Sequence, residues 1–171
     1  MRHLIPATIG LFCLLTTFIS LPSQAHTTCD ETCWANVIPP TNKAKLINWL
    51  NNKGYKANFL PEPARHQSTG PHGGVVKTYY NPVLVNDLAA RRKRFSKGAA
   101  MVKELFLGGN TVAGYAVMVK TDRSPTVKAG DWLFYEAFDT NGQGAFYGKG
   151  IQLCAGCHSA GKDYLLSTFR P

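Results

Sequence analysis

The chain has 171 residues, of which 44% are hydrophobic and 17% are charged. This length suits a single domain, and the low charge content excludes a disordered, charge-rich protein. Lys and Arg number 19 against 10 Asp and Glu, a net charge of +9, and the five cysteines are too few for a disulfide-dense miniprotein.

The first 25 residues have the pattern of an export signal. Arg2 and His3 precede an apolar run over residues 9–21, and Ser23 and Ala25 form a small-x-small cleavage site. We expect cleavage after Ala25, which leaves 146 residues with 18 Lys and Arg against 10 acidic residues, a charge of +8. An uncleaved membrane anchor is the alternative. Because export leads to an oxidising compartment, the sequence predicts a periplasmic protein.

The first element predicted after the signal is an amphipathic helix over residues 42–53. Leu46, Trp49 and Leu50 have the i, i+3, i+4 spacing of one apolar helix face, and Gly54 is a typical stop.

Residues 57–74 contain three prolines and three glycines and are predicted to form a long loop. The β-branched and aromatic residues of 75–80 then predict a strand. A second helix is predicted over residues 81–94, with Asn81 as its N-cap and Pro82 in its first turn.

Two further strands are predicted over residues 99–107 and 111–121, joined by a hairpin turn at residues 108–110. Residues 132–138 carry four aromatic side chains and predict another strand. The rest is glycine-rich loop with a short helix around Cys154. Strands joined as hairpins, with the helices placed early, predict an α+β fold built on an antiparallel sheet.

The sequence Cys154-Ala-Gly-Cys-His158 is C-x-x-C-H, the attachment signature of a c-type haem. Two thiols three positions apart on one turn can add to the two vinyl groups of one porphyrin. The next residue, His158, is then held as an axial imidazole ligand of the iron. The motif therefore predicts haem c as the cofactor, attached through Cys154 and Cys157. We expect the antiparallel sheet and two or three helices to surround this haem.

Two other interpretations of these cysteines stay open. A thioredoxin-like redox pair belongs at the start of a helix in a βαβ unit, whereas this motif follows a glycine-rich segment. A four-thiolate zinc site could combine Cys154 and Cys157 with Cys29 and Cys33, although an exported protein is a poor place for free thiolates. Cys29 and Cys33 are instead predicted to form a small disulfide.

Five motifs follow one another between Lys77 and the C-terminus: Gly98-Ala-Ala-Met-Val-Lys-Glu-Leu105, Tyr115-Ala-Val-Met-Val-Lys120, Gly130-Asp-Trp-Leu-Phe-Tyr135, the C-x-x-C-H motif and Asp163-Tyr-Leu165. In their order and spacing this part of the chain resembles the cytochrome P-460 family. The resemblance implies an antiparallel sheet with a few helices, a homodimer and a pentacoordinate haem iron. That family includes hydroxylamine-oxidising enzymes, in which a lysine is covalently bound to the porphyrin. It also includes β-sheet cytochromes c-prime, which bind nitric oxide and lack this cross-link.

The resemblance assigns three positions near the haem. Lys103 stands where the family has its cross-linking lysine, and the two-residue period of a strand puts it on one face with Met101 and Leu105. There are two alternatives for Lys103: its side chain pairs with a haem propionate, or its face of the strand is exposed to solvent. Ala116 stands where the enzymes have a distal carboxylate, and Lys77 replaces a family arginine near the pocket.

Two further groups have a functional and a structural interpretation. Met101 and Met118 are either sixth ligands of the iron or, as we favour, core side chains. The basic run over residues 91–94 is expected to close the second helix. It is either a solvated helix end or a docking patch for an acidic redox partner.

These observations favour a P-460-like oxidoreductase that oxidises hydroxylamine or a related small nitrogen compound. The substrate would bind ferric iron opposite His158, and the electrons would pass to a redox partner cytochrome. The alternative is a non-catalytic haem protein that binds nitric oxide or carries electrons, like the β-sheet cytochromes c-prime. A nucleic-acid partner is not expected for an exported haem protein.

Overall fold

The computed structural model describes residues 37–126 and 128–171 of the chain. These residues form an α+β fold with a seven-stranded antiparallel sheet and three α-helices, as predicted. The predicted export signal and the predicted Cys29–Cys33 disulfide lie outside the described residues. Within the described part, none of the helices has the length and apolar character needed to cross a membrane.

The strands are β1 Leu60–Pro61, β2 His66–Gln67, β3 Val75–Tyr80, β4 Ala100–Phe106, β5 Gly114–Lys120, β6 Trp132–Ala137 and β7 Phe146–Lys149, and the helices of the described residues are α1 Lys43–Asn51, α2 Pro82–Ala89 and α3 Gln152–His158. A short 3-10 turn at Ala129–Asp131 precedes β6. The strands lie in the order β1-β3-β4-β5-β6-β7, and β2 also pairs with β3.

The sequence predicted the four long strands within a few residues at each end, and β3 with its observed bounds. It was wrong about residues 57–74, which contain β1 and β2 rather than only a loop, and it missed β7. These strands have only two to four residues, too few to show a periodicity. They form because β3 and β6 offer them backbone partners.

The first predicted helix is confirmed, since α1 covers residues 43–51 of the predicted 42–53. Its N-cap is Asn42, whose side chain accepts a hydrogen bond from the Lys45 backbone N–H at 3.1 Å. Gly54 lies against the indole of Trp49, and a β-carbon at Gly54 would meet that ring. The glycine that follows α1 therefore also allows the backbone to lie close to the Trp49 side chain.

The second helix is shorter than predicted, because α2 ends at Ala89 rather than near residue 94. Arg91 has a positive φ of 52°, and the chain turns back so that the Asp87 carboxylate accepts from the Ser96 backbone N–H at 2.5 Å. Arg92 Nε lies 2.9 Å from the same carboxylate. The basic run of residues 91–94 therefore lies beyond the last turn of α2. An interaction with the helix dipole does not account for these four cations.

Both faces of the sheet are covered. On the first, which we call the α1 face, Leu46 and Leu50 of α1 pack with Val102 of β4 and Val117 of β5. On the second, the α3 face, Ala155 of α3 belongs to a cluster with side chains of β4, β5 and β6. All seven residues of β5 are buried, because both faces of this strand are covered, and Lys120 is the one charged side chain among them.

The α1 face contains a buried carboxylate. Glu104 is 2% exposed and accepts hydrogen bonds from the Tyr55 hydroxyl at 2.5 Å and the Tyr79 hydroxyl at 3.1 Å. Lys56 Nζ lies 3.1 Å from it. Burial, and then the charge of Glu104, raises the pKa of Tyr79 to about 12. Glu104 thus connects three aromatic and basic side chains around the end of α1.

Replacing Glu104 by Gln is expected to lower the free energy of unfolding by roughly 1–3 kcal/mol, because two buried hydroxyls lose a charged acceptor. Urea denaturation checks this. In a double-mutant cycle, Glu104→Gln combined with Tyr55→Phe should lower stability by less than the two separate effects together, since the pair shares one hydrogen bond. Strict additivity would contradict the assigned network.

Candidate functional site

Helix α3 carries the C-x-x-C-H motif. Its i, i+3, i+4 spacing puts Cys154, Cys157 and His158 on one side of the helix. Cys154 is half-buried against the apolar cluster of the α3 face, and Cys157 is exposed. Neither thiol forms a disulfide within the described residues. Both thiols are therefore placed for attachment to one group lying along this side of the helix.

His158 is held in the orientation and protonation state that a metal ligand needs. Its side chain is buried, and its Nδ1 lies 2.9 Å from the backbone carbonyl oxygen of Tyr164. Because a carbonyl only accepts, Nδ1 must carry the proton, which leaves a lone pair on Nε2. Burial lowers the pKa of His158 and so favours the neutral imidazole. This arrangement matches a metal-binding histidine whose other ring nitrogen donates to the backbone.

The carbonyl that orients His158 belongs to a tight turn. Asp163 and Tyr164 have positive φ values of 47° and 64°, and the Leu165 N–H donates to the Lys162 carbonyl at 2.9 Å. The Asp163 carboxylate is in turn bound by Lys120 Nζ at 2.8 Å. The position of His158 thus depends on a turn that an ion pair ties to strand β5.

The sheet brings Lys103, Ala116 and Glu136 side by side on the α3 face. Lys103 of β4 pairs with Ala116 of β5, and Ala116 pairs with Glu136 of β6. The predicted shared face of Met101, Lys103 and Leu105 is confirmed, since Met101 packs in the cluster with α3. Burial lowers the pKa of Lys103 and so favours the neutral amine, the form whose lone pair can make a covalent bond.

Lys77 does not belong to this group. It pairs with Glu104 across β3 and β4, and its Nζ lies 5.8 Å from the centre of the Tyr79 ring, both on the α1 face. The expectation that Lys77 lies near Lys103 and Ala116 was therefore wrong. A strand places successive side chains on opposite faces, and Thr78, not Lys77, is the partner of Lys103.

Met101 and Met118 are cross-strand partners on the α3 face and are 4% and 3% exposed. They lie in one apolar cluster with Leu84, Phe95 and Trp132. This packing supports the interpretation of both methionines as core side chains.

The structure adds two residues that the sequence analysis did not single out, His72 and Glu136. His72 Nδ1 lies 2.6 Å from Glu136 Oε1, and both side chains are largely buried. The His72 ring centre is 6.1 Å from that of His158, with the ring planes at 68°. The only local signal was Glu136 itself, an acidic residue on the same strand face as Trp132 and Phe134.

The geometry bears on the other interpretations of the cysteines. Burial raises the pKa of Cys154, the opposite of what a reactive redox thiol requires. The motif follows β7 of an antiparallel sheet rather than opening a helix in a βαβ unit. Within residues 37–126 and 128–171, no three His, Cys, Asp or Glu side chains converge as ligands of a bare metal ion. A haem iron needs fewer protein ligands, because the porphyrin supplies four nitrogens.

No protein-family model matches the sequence, and no curated protein matches it significantly. The functional interpretation therefore depends on the motif, the resemblance described above and the geometry of the α3 face.

Proposed function

We propose that this protein is a periplasmic mono-haem c-type cytochrome similar to cytochrome P-460. In this proposal Cys154 and Cys157 hold the haem covalently and His158 is an axial ligand of its iron. The observation that carries the proposal is the state of His158. Its Nδ1 is committed to the Tyr164 carbonyl, its Nε2 makes no hydrogen bond to any described residue, and both thiols of the motif are on its side of α3.

The residues around the motif fit such a group. Burial lowers the pKa of His158 and so favours its neutral imidazole, which a backbone carbonyl orients. Phe134 lies edge-on to this ring, with ring centres 5.6 Å apart. The sheet supplies Leu105 and Ala116, which are buried together in a small apolar cluster, as neighbours of Lys103. When bound, haem supplies an iron that can bind a small ligand and exchange electrons one at a time.

The reaction we propose is the oxidation of hydroxylamine or a related small nitrogen compound, with the electrons passing to a redox partner cytochrome. Two residues support it. Lys103 is a half-buried lysine whose neutral form burial favours, at the position of the family's cross-linking lysine. Glu136 brings a carboxylate to the α3 face directly beside Ala116, the position where a distal carboxylate was expected and is missing. In this proposal Glu136, on the neighbouring strand, supplies the acidic group.

A second candidate function is that of a non-catalytic cytochrome that binds nitric oxide or transfers electrons. The observation that favours it is Ala116 itself, because its methyl group can neither accept nor donate a proton. This candidate shares the haem, the attachment sites and the axial ligand with the first.

Optical spectra and intact mass separate the two candidates when the protein is produced with the haem maturation system. If Lys103 is bound to the porphyrin, the ferrous Soret band lies far to the red and the mass is lower by the hydrogens lost in the cross-link. Lys103→Ala should then restore an ordinary c-type spectrum while the thioether links keep the haem. Lys77→Ala, on the opposite face, is the matched control and should leave the spectrum unchanged.

Hydroxylamine turnover with an external electron acceptor completes the test. The proposed enzyme should oxidise hydroxylamine in the wild type and lose most of this activity in Lys103→Ala. A wild-type protein with an ordinary c-type spectrum, an unmodified mass, nitric oxide binding and no turnover would select the second candidate.

A further inference from the structure

We propose that Glu62 and His66, which we call the Glu62–His66 pair, carry protons from the haem site to solvent. This inference rests on the proposed oxidation of hydroxylamine and adds to it a way out for the protons. Each pair of electrons taken from hydroxylamine leaves two protons behind, since one N–H and one O–H bond are broken (NH₂OH → HNO + 2 H⁺ + 2 e⁻). The electrons pass to the redox partner cytochrome, whereas the protons need acceptors within the chain.

One row of neighbouring residues crosses the sheet from Glu62 to Glu136. Residues that pair across adjacent strands stand side by side on one face. The Glu62 backbone N–H donates to the Thr78 carbonyl at 2.8 Å. Along the row Thr78 then pairs with Lys103, Lys103 with Ala116, and Ala116 with Glu136. A glutamate therefore stands at each end of the row, and Lys103 lies between the two.

The Glu62 carboxylate is held in place by two donors. Its Oε2 accepts from the Thr78 backbone N–H at 2.7 Å, and its Oε1 accepts from the Tyr80 hydroxyl at 3.1 Å. Burial raises the pKa of Tyr80, so this hydroxyl keeps its proton and donates it. Burial lowers the pKa of Lys103, and the charge of Glu62 opposes that shift more than the charge of Glu136 does. Of the two glutamates, Glu62 therefore acts more strongly on the amine of the site.

His66 contacts the same carboxylate in a way that requires a shared proton. Its Nε2 lies 3.2 Å from Glu62 Oε2, and its Nδ1 lies 2.8 Å from the Gln67 backbone carbonyl oxygen. A carbonyl and a carboxylate only accept, whereas a neutral imidazole has one N–H to donate. Both contacts form only when one additional proton lies between Nε2 and Oε2, on the ring or on the carboxyl group. The pair therefore holds a proton that either residue can carry.

The Glu62 end of the row opens to solvent, and the Glu136 end does not. The His66 side chain is 50% exposed. At the other end Glu136 bonds His72, whose side chain is 16% exposed and lies against the His158 ring. An imidazole is the side chain that most readily gains and loses a proton near neutral pH. A proton received at Glu62 therefore reaches bulk water through the half-exposed ring of His66.

Stopped-flow measurement of haem reduction and proton release tests this route. Hydroxylamine is mixed with the oxidised holoprotein in weak buffer that contains a pH-indicator dye. In wild type the protons should reach solvent together with haem reduction. Glu62→Gln keeps the shape of the side chain but cannot take up a proton. It should slow proton release and kcat by roughly tenfold to a hundredfold, the effect of a lost general base. KM should stay within about twofold, because the substrate position is unchanged.

His66→Ala should slow proton release by about tenfold or less, because water can still reach Glu62. Added imidazole should restore the rate in a saturable way, since it can take the place of the missing ring. It should not restore Glu62→Gln, in which the inner acceptor is lost. The same imidazole concentrations added to wild type measure any binding of imidazole to the iron. Rescue in the first variant alone distinguishes a proton carrier from a residue that only supports the fold.

Nitrogen NMR of His66 gives a readout that needs no turnover. The labelled holoprotein is studied in its carbon monoxide form, which is diamagnetic. Wild-type Nε2 should show the signal of a protonated nitrogen or of one that shares its proton. In Glu62→Gln the amide can donate to Nε2, so this nitrogen should show a bare lone pair and Nδ1 should keep the proton. A bare Nε2 in wild type would overturn the shared proton and the route.

Three further variants act as controls. Asp122→Asn removes an exposed carboxylate beyond the end of β5, and Gln67→Ala keeps the backbone carbonyl that faces His66. Both should keep wild-type proton release. Tyr80→Phe removes one donor to Glu62 but leaves the carboxylate, and it should slow proton release less than Glu62→Gln does. If Tyr80→Phe has the full effect and His66→Ala has none, the assignment of His66 is overturned.

The failures of the two proposals are distinguishable. Hydroxylamine turnover with wild-type proton release in both Glu62→Gln and His66→Ala overturns the proton route alone. Covalent haem without turnover overturns the proposed oxidation, and the route with it. If Glu62→Gln does not accumulate, His66→Ala and its rescue by imidazole still decide the role of the pair.

Discussion

Replacing both Cys154 and Cys157 by alanine is expected to abolish covalent haem binding. Each thioether forms when the S–H of one cysteine adds across one vinyl group, so a chain without both thiols has no bond to the porphyrin. His158 stays in place, because its hydrogen bond to Tyr164 and its burial do not depend on the thiols. Any pigment that remains should therefore be removed by acidified acetone, whereas the wild-type pigment should resist extraction.

Haem staining of a denaturing gel and intact mass measure this directly. Each single variant, Cys154→Ala or Cys157→Ala, should keep one thioether and a haem that resists extraction. Ser159→Ala is the matched control in the same turn, since its hydroxyl only donates to the Gly156 carbonyl, and it should keep the full haem content. A colourless wild type containing stoichiometric zinc, or a disulfide between the two cysteines, would contradict the haem assignment.

The attachment motif could be predicted from the sequence because it is local. Its five residues are consecutive, and α3 places the two cysteines and the histidine on one side of a single helix turn. The long strands could be predicted for a similar reason, since each carries its own apolar run and β4 and β5 follow one another as a hairpin.

The pairing of His72 with Glu136 could not be predicted from the sequence, because 64 residues separate them and the contact is created by the turn before β3 lying against β6. The face of Lys77 depends on the strand register. Shifting the pairing of β3 with β4 by one residue would move Lys77 to the face of Lys103, and nothing in the local sequence fixes that register.

The end of α2 is a third example. Residues 90–94 are compatible with a helix, but the Asp87 carboxylate is used by the Ser96 backbone N–H and by Arg92. A tertiary hydrogen bond therefore overrides the local preference and ends the helix early. A contact of the same kind holds the turn beside His158, where the backbone N–H of Phe95, the residue before Ser96, donates to the Asp163 carboxylate at 2.8 Å.

Replacing Asp163 by Asn is expected to lower the free energy of unfolding by about 3–5 kcal/mol, the usual effect of removing one partner of a buried ion pair. Lys120 Nζ lies 2.8 Å from Asp163 Oδ1 and 3.0 Å from Oδ2, with the two side chains 1% and 0% exposed. The Phe95 backbone N–H also donates to Oδ2 at 2.8 Å. Without this carboxylate, Asp131 at 3.6 Å is the one carboxylate of the described residues that remains paired with the ammonium.

Asparagine isolates the loss of charge, because it has the same shape as aspartate and tolerates the φ of 47° found at this position. Urea denaturation measures the loss of stability. Lys120→Met combined with Asp163→Asn should be more stable than Asp163→Asn alone, since no buried charge is then left unpaired. His66→Ala, which breaks an exposed pair with Glu62, should change stability by about 1 kcal/mol or less.

The same substitution should also disturb the proposed haem site, because Asp163 directly precedes Tyr164, whose carbonyl orients His158. If the ion pair fixes that turn, Asp163→Asn should weaken the axial bond to His158 and change the ferric spectrum under conditions where the protein is still folded. A variant that is destabilised but keeps the wild-type spectrum would show that the turn holds His158 without help from Lys120. A variant as stable as wild type would contradict the energetic role of the pair itself.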